Sequence, residues 1–166
     1  AGCGTGQMAM VLAERGAEVI AIDLSRTLTD LARERMAALP GSGRITFLAG
    51  DMLDAALGEF DHVVAMDSLI HYRSHDIVRA IGGLAERTRH SIVFTFAPRT
   101  PALSVMHALG RLFPRGDRAP AIEPVAEHAL RLELAEPPVL AGWKPVRTQR
   151  INSGFYKSQA VEWVRP

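Results

Sequence analysis

The chain predicts an α/β fold: a mostly parallel, doubly wound sheet that closes on a C-terminal antiparallel hairpin. Three observations predict it. Short apolar runs alternate with helical periodicities from Met8 to Phe96, the order that buries a parallel sheet beneath helices on both faces. The string Ala1-Gly2-Cys3-Gly4-Thr5-Gly6 runs straight into the first helical stretch. Near the end, two strand-like runs flank Asn152-Ser153-Gly154, a link short enough for a hairpin.

Each element has its own signal. Met8 to Arg15 reads as a helix closed by Gly16, and Glu18 to Asp23 as a strand. Thr27 to Leu39 sets Leu28, Leu31, Ala32 and Met36 on one helical face before Pro40-Gly41 stops it. Arg44 to Ala49 and Phe60 to Met66 are the next strands. His75 to Arg87 is a helix with Ile77, Ala80, Ile81 and Leu84 on one side, and His90 to Phe96 is a buried strand. After Pro98 the rhythm changes. Ala102 to Phe113 reads as helical, Pro114 to Pro124 as irregular, and Val125 to Ala135 as a further helix. Val146 to Ile151 and Phe155 to Val161 are the hairpin strands.

The glycine string lacks the strand that should feed it, so an N-terminal region is expected to be missing. Counting that strand as the first, residues 98–124 form an insertion after the fifth. A length of 166 residues, 48% apolar and 22% charged, suits a single domain over residues 1–166 with a real core.

A formal net charge of +1 supplies no electrostatic reason to expect nucleic acid. One cysteine, Cys3, leaves no internal disulfide and no multi-cysteine zinc site. His62, His75, His90, His107 and His128 show no metal-ligand spacing and read as structural or solvated, so no metal is expected. No apolar run approaches the roughly 20 residues needed to span a bilayer.

The ligand crevice of such a sheet lies outside the carboxyl ends of its strands. Glycines there let the backbone turn sharply and approach a ligand closely. Asp23, at the next strand tip, is placed to accept ribose hydroxyls. A dinucleotide fingerprint would need a third glycine at position 7, which is Gln7; the GxGxG spacing resembles that of S-adenosylmethionine enzymes instead. The cofactor-binding candidates are Gly2, Cys3, Gly4, Gly6, Asp23, Leu24, Ser25, Asp51, Met52 and Asp67. Asp51 suits the exocyclic amine of adenine, with Met52 against the ring; its structural alternative is a helix N-cap.

Asp67-Ser68-Leu69-Ile70-His71-Tyr72 closes the next strand. His71 and Tyr72 are the catalytic candidates, because histidine serves as base or hydrogen-bond donor near neutral pH. From Thr95 to Pro120, Arg99, Arg111, Arg115 and Arg118 face the single acid Asp117, interleaved with Met106, Leu109, Leu112 and Phe113. A greasy lid with guanidinium groups suits a large flat substrate bearing carboxylates. Arg99, Arg115 and Arg118 are its substrate-binding candidates.

Five strings carry a resemblance: Ala1 to Gly6, Met66 to Tyr72, Phe94 to Pro101, Leu112 to Arg118 and Ser153 to Ser158. Together they resemble the magnesium-protoporphyrin IX methyltransferase family of the class I, Rossmann-like methyltransferases. The first string is common to many methyltransferases; Phe-Ala-Pro-x-Thr-Pro and Phe-Pro-Arg-x-Asp-Arg are more specific. The resemblance implies S-adenosylmethionine as donor, S-adenosylhomocysteine as product, and esterification of one porphyrin propionate in chlorophyll or bacteriochlorophyll biosynthesis. It also implies an N-terminal helical region over the cofactor, handover from the large subunit of magnesium chelatase, and a cytoplasmic location with peripheral contact to the photosynthetic membrane. A propionate, with an ordinary pKa of about 4, is already ionised at neutral pH. On this reading His71 orients or desolvates the carboxylate more than it removes a proton, Tyr72 supports it, and Arg115 and Arg118 hold the second propionate.

Three rivals follow from the same residues. One is an O-methyltransferase acting on a quinone, phenol or small carboxylic acid, which differs at Pro98 to Pro120. Another is a nicotinamide oxidoreductase, against which Gln7 and the hairpin count. The third is a non-catalytic binding module or porphyrin carrier.

Overall fold

The computed structural model describes residues 1–37, 42–99, 122–153 and 156–166. The chain folds as two compact units, Ala1–Gly58 and Glu59–Pro166.

In the first unit, helix α1 (Gln7–Glu14) is followed by strand β1 (Val19–Asp23), helix α2 (Arg26–Met36) and strand β2 (Ile45–Ala49). Gly16, at φ 92°, occupies the left-handed conformation that ends α1. β1 and β2 pair in parallel, from Val19 against Ile45 to Asp23 against Ala49. Ala9 and Met10 of α1, Ala21 of β1, Ala32 and Met36 of α2 and Phe47 of β2 form its core.

The buried face of α2 is Thr29, Ala32 and Met36, while Leu28 is 36% exposed. Periodicity alone favours Leu28 over Thr29. Two bonds set the rotation. Ser25 caps the helix by accepting the Leu28 amide at 3.3 Å, and the Thr29 hydroxyl donates to the Arg26 carbonyl at 2.9 Å. With its hydroxyl satisfied locally, Thr29 buries without a desolvation penalty.

The second unit holds β3 (Phe60–Ala65), α3 (Ser74–Glu86), β4 (Thr88–Phe96), α4 (Glu127–Ala135), β5 (Lys144–Ser153) and β6 (Tyr156–Val164). Its sheet order is β3-β4-β6-β5. β3 and β4 are parallel; β6 runs antiparallel to both β4 and β5. α3 buries Ile77, Ala80, Ile81 and Leu84, the face its periodicity predicts. The Ser74 hydroxyl donates to Glu133 of α4 at 2.9 Å and ties the two helices together.

The hairpin is longer than its apolar residues suggest. Its ladder runs from Lys144 against Val164 to Ser153 against Tyr156, taking in Asn152 and Ser153, which read as turn residues. Lys144, Arg147 and Arg150 stand exposed along the edge strand β5. Charges there keep an open strand from pairing with a second chain.

The predicted insertion leaves the sheet after β4. The Arg99 amide donates to the Val125 carbonyl at 2.7 Å, and the Val125 amide to the Ala97 carbonyl at 2.8 Å. These bonds clip its two ends together. Residues 100–121, including the expected helix from Ala102 to Phe113 and the candidates Arg115 and Arg118, lie outside the described residues. No helix among the described residues is long and apolar enough to cross a membrane.

Candidate active site

The glycine loop is built by three left-handed residues, with φ 64° at Gly2, 51° at Gly4 and 82° at Gly6. The Cys3 amide donates to the Ile22 carbonyl of β1 at 2.9 Å, and the Gly6 amide to the Cys3 carbonyl at 2.9 Å. A Cβ on Gly6 would stand 2.9 Å from Cε1 of Phe47, so that turn admits no side chain.

Asp23 braces this loop directly. Its Oδ2 accepts the Gly4 amide and its Oδ1 the Ser25 amide, each at 2.9 Å. A carboxylate offers about four lone-pair sites, and these two amides occupy two of them. Burial, and after it the Asp23 carboxylate, pushes the Cys3 thiol above its ordinary value. Cys3 therefore stays a neutral thiol at neutral pH, a small residue in a tight turn.

Parallel pairing brings the second strand tip alongside. The Gly50 amide donates to the Asp23 carbonyl at 2.9 Å, which sets Asp51 and Met52 beside Asp23, Leu24 and Ser25. Leu24 is 75% exposed, an apolar side chain held in the open at the tip of β1. Asp51 is not a helix N-cap: its Oδ1 accepts the Leu53 amide at 2.8 Å in a local turn, and Asp54 caps the short turn Ala55–Leu57. Nine cofactor candidates thus sit in the first unit: Gly2, Cys3, Gly4, Gly6, Asp23, Leu24, Ser25, Asp51 and Met52.

Asp67, His71, Tyr72 and Arg99 belong to the second unit. Asp67 adopts φ 56°, the one positive φ outside glycine among the described residues. That conformation costs an ordinary residue roughly 1–2 kcal/mol and persists where neighbours impose it. Here Thr95 imposes it. The Asp67 amide donates to the Thr95 hydroxyl at 2.7 Å, and that hydroxyl donates to Asp67 Oδ1 at 3.2 Å.

The chain then enters the tight turn Leu69–His71, anchored by fully buried Leu69 and closed by the Tyr72 amide on the Leu69 carbonyl at 3.0 Å. The Glu123 amide donates to the Ile70 carbonyl at 2.9 Å. This fastens the far end of the insertion to the turn that bears His71. His71 and Tyr72 are half-buried and Arg99 is exposed. No cluster of three or more histidine, cysteine or acidic side chains among the described residues is placed to hold a metal.

Sequence reasoning did not single out Thr95, Ser68 or Ser158, three residues of this unit with buried hydroxyls. Thr95 and Ser158 are fully buried. The Ser68 and Ser158 hydroxyl oxygens are buried without a partner among the described residues. The signal for Thr95 was a polar residue inside the apolar run Ile92 to Ala97, masked because β-branched threonine also reads as an ordinary strand residue.

Residues 65–165 match the family described as magnesium-protoporphyrin IX methyltransferase C-terminus, and residues 1–91 match a methyltransferase domain. A magnesium-protoporphyrin O-methyltransferase of Rhodobacter capsulatus is 46% identical over 98% of this chain and 69% of its own length. One from Synechocystis sp. is 30% identical over 99% of this chain and 70% of its own. Among solved structures, magnesium protoporphyrin IX methyltransferase from Synechocystis PCC 6803 with bound SAH superposes with a TM-score of 0.82. It is 30% identical and is matched over 99% of this chain and 72% of that one.

Proposed function

Since the chain belongs to the magnesium-protoporphyrin IX methyltransferase family, we propose that it transfers a methyl group from S-adenosylmethionine to a propionate carboxylate of magnesium-protoporphyrin IX. The products are the monomethyl ester and S-adenosylhomocysteine. The family membership carries this reading, and the residues agree with it.

The glycine loop and Asp23 suit the donor. Three left-handed glycines leave room for close approach, and Asp23 keeps acceptor capacity for the ribose diol while it braces Gly4. Leu24 and Met52 offer apolar contact to adenine, and Asp51 an acceptor for its amine. The bound donor supplies an electrophilic methyl group on sulfonium. Everything else is positioning: a carboxylate oxygen must lie in line with the methyl carbon and sulfur, with water excluded. Well-oriented reactions gain up to about 7–11 kcal/mol in this way.

His71, in its anchored turn, serves as hydrogen-bond donor to the propionate with Tyr72 in support, and Asp67 is the cofactor-binding residue of the second unit. Arg99, where the insertion begins, binds substrate carboxylate together with Arg115 and Arg118. Residues 1–166 work as one methyltransferase domain, with 98–124 as its substrate-covering insertion. The methyltransferase-domain match runs across the boundary between the two units, which supports this. Handover from the large subunit of magnesium chelatase, and peripheral attachment to the photosynthetic membrane from the cytoplasmic side, complete the reading.

The test uses the full-length protein with methyl-labelled S-adenosylmethionine and magnesium-protoporphyrin IX. Label recovered in the porphyrin as a single methyl ester is the expected result. Cofactor binding without transfer would sink the porphyrin assignment.

A further inference from the structure

We propose that Thr95 is a positioning residue for the transfer, acting through Asp67 on the turn that carries His71. The inference rests on the role given to His71 above. Thr95 is fully buried in β4, one residue beyond the pairing of Ala65 with Phe94. It therefore lies level with the point where the neighbouring chain leaves β3.

A hydroxyl has one proton and two lone pairs. Thr95 commits the proton and one lone pair to the same residue: Oγ1 accepts the Asp67 amide at 2.7 Å and donates to Asp67 Oδ1 at 3.2 Å. One buried side chain thus fixes both the backbone and the carboxylate of Asp67, at the residue whose φ of 56° redirects the chain. The bend sets where the turn Leu69–His71 begins. Downstream, Leu69 is fully buried and the Ile70 carbonyl is held by the Glu123 amide. Thr95, through Asp67, and Glu123, through Ile70, thus hold the segment that leads into His71. Loosening the Thr95 end leaves the fold intact but lets the turn drift, and orientation is what this reaction depends on.

The experiment compares Thr95→Val, which keeps the shape and removes the hydroxyl, with Thr95→Ser, which keeps the hydroxyl. Both are made in the full-length protein, alone and with His71→Ala. Thr95→Val is expected to lower kcat for methylation about tenfold, with KM for the porphyrin within about twofold. Thr95→Ser should restore kcat, and in the His71→Ala background Thr95→Val should cost little more. An equal loss with and without His71, or failure of serine to restore the rate in a folded protein, overturns the proposal.

A second readout does not need turnover. The His71 ring resonances, followed by NMR with S-adenosylhomocysteine bound, should move in Thr95→Val and return in Thr95→Ser. If wild-type protein transfers no methyl group, the functional reading fails by itself. Unmoved His71 ring resonances in Thr95→Val reject the role of Thr95 independently of turnover.

Discussion

The Asp23 carboxylate accepts the amide hydrogen of Gly4 at 2.9 Å, across nineteen positions of sequence. The residue expected to hold the ribose thus also holds the loop that must approach the cofactor. On the proposed reading, binding and loop shape are coupled through one side chain.

Asp23→Asn should therefore weaken S-adenosylmethionine binding by more than the loss of one ligand contact. The amide cannot present two anionic oxygens to the Gly4 and Ser25 amides. Hydrogen bonds to a charged group are worth about 1.5–3 kcal/mol, so calorimetry should show Kd rising roughly 10–100-fold. A Kd within twofold of wild type would remove Asp23 from the cofactor site.

Gly6→Ala should destabilise the chain more than Gly4→Ala. Both positions have positive φ, but a Cβ on Gly4 meets nothing within 4 Å, whereas on Gly6 it meets Phe47 at 2.9 Å. The backbone term costs about 1–2 kcal/mol in each, and overpacking adds about 1–3 at Gly6 alone. Thermal unfolding of the two variants should separate these terms. Equal melting temperatures would show that Phe47 yields freely.

Cys3 should be slow to alkylate at neutral pH. Burial first, and Asp23 second, raise its thiol above the ordinary value, so the folded chain disfavours the thiolate. The sign for stability follows. This contribution is full below the unfolded pKa of about 8.5 and declines as pH rises past it, because the unfolded chain releases the proton first. The iodoacetamide rate profile of the folded protein should lie at higher pH than that of the denatured chain. Asp23→Asn should move it back toward lower pH.

His71→Ala should lower kcat about 10–100-fold, in keeping with lost orientation, while S-adenosylmethionine still binds. A carrier of porphyrin would be indifferent to the change. His71→Gln retains a hydrogen-bond donor and should recover part of the rate. Glutamine no better than alanine would point to proton removal by His71 in place of orientation.

Much of this was legible in the residues. α3 buries the face its spacing predicts, because apolar residues at Ile77, Ala80, Ile81 and Leu84 leave one way to turn. The glycine spacing marked a sharply turned loop at the start of the first unit, since left-handed turns demand glycine. Less visible were features that hydrophobic periodicity does not encode. α2 presents Thr29 in place of Leu28 because two local hydrogen bonds set its rotation. Asn152 and Ser153 joined the hairpin ladder because antiparallel pairing continues as long as both strands supply partners.

By itself the sequence determined the element order, the glycine loop, the family and the turn around His71. These depend on periodicity, on glycine's freedom and on strings of adjacent residues. Tertiary structure alone decided that Asp23 braces Gly4, that Thr95 holds Asp67 in a left-handed conformation, and that Glu123 fastens the turn at Ile70. Each of these joins residues nineteen or more positions apart through one or two hydrogen bonds. Most buried polar groups find such a partner, and composition and spacing do not say which one they find.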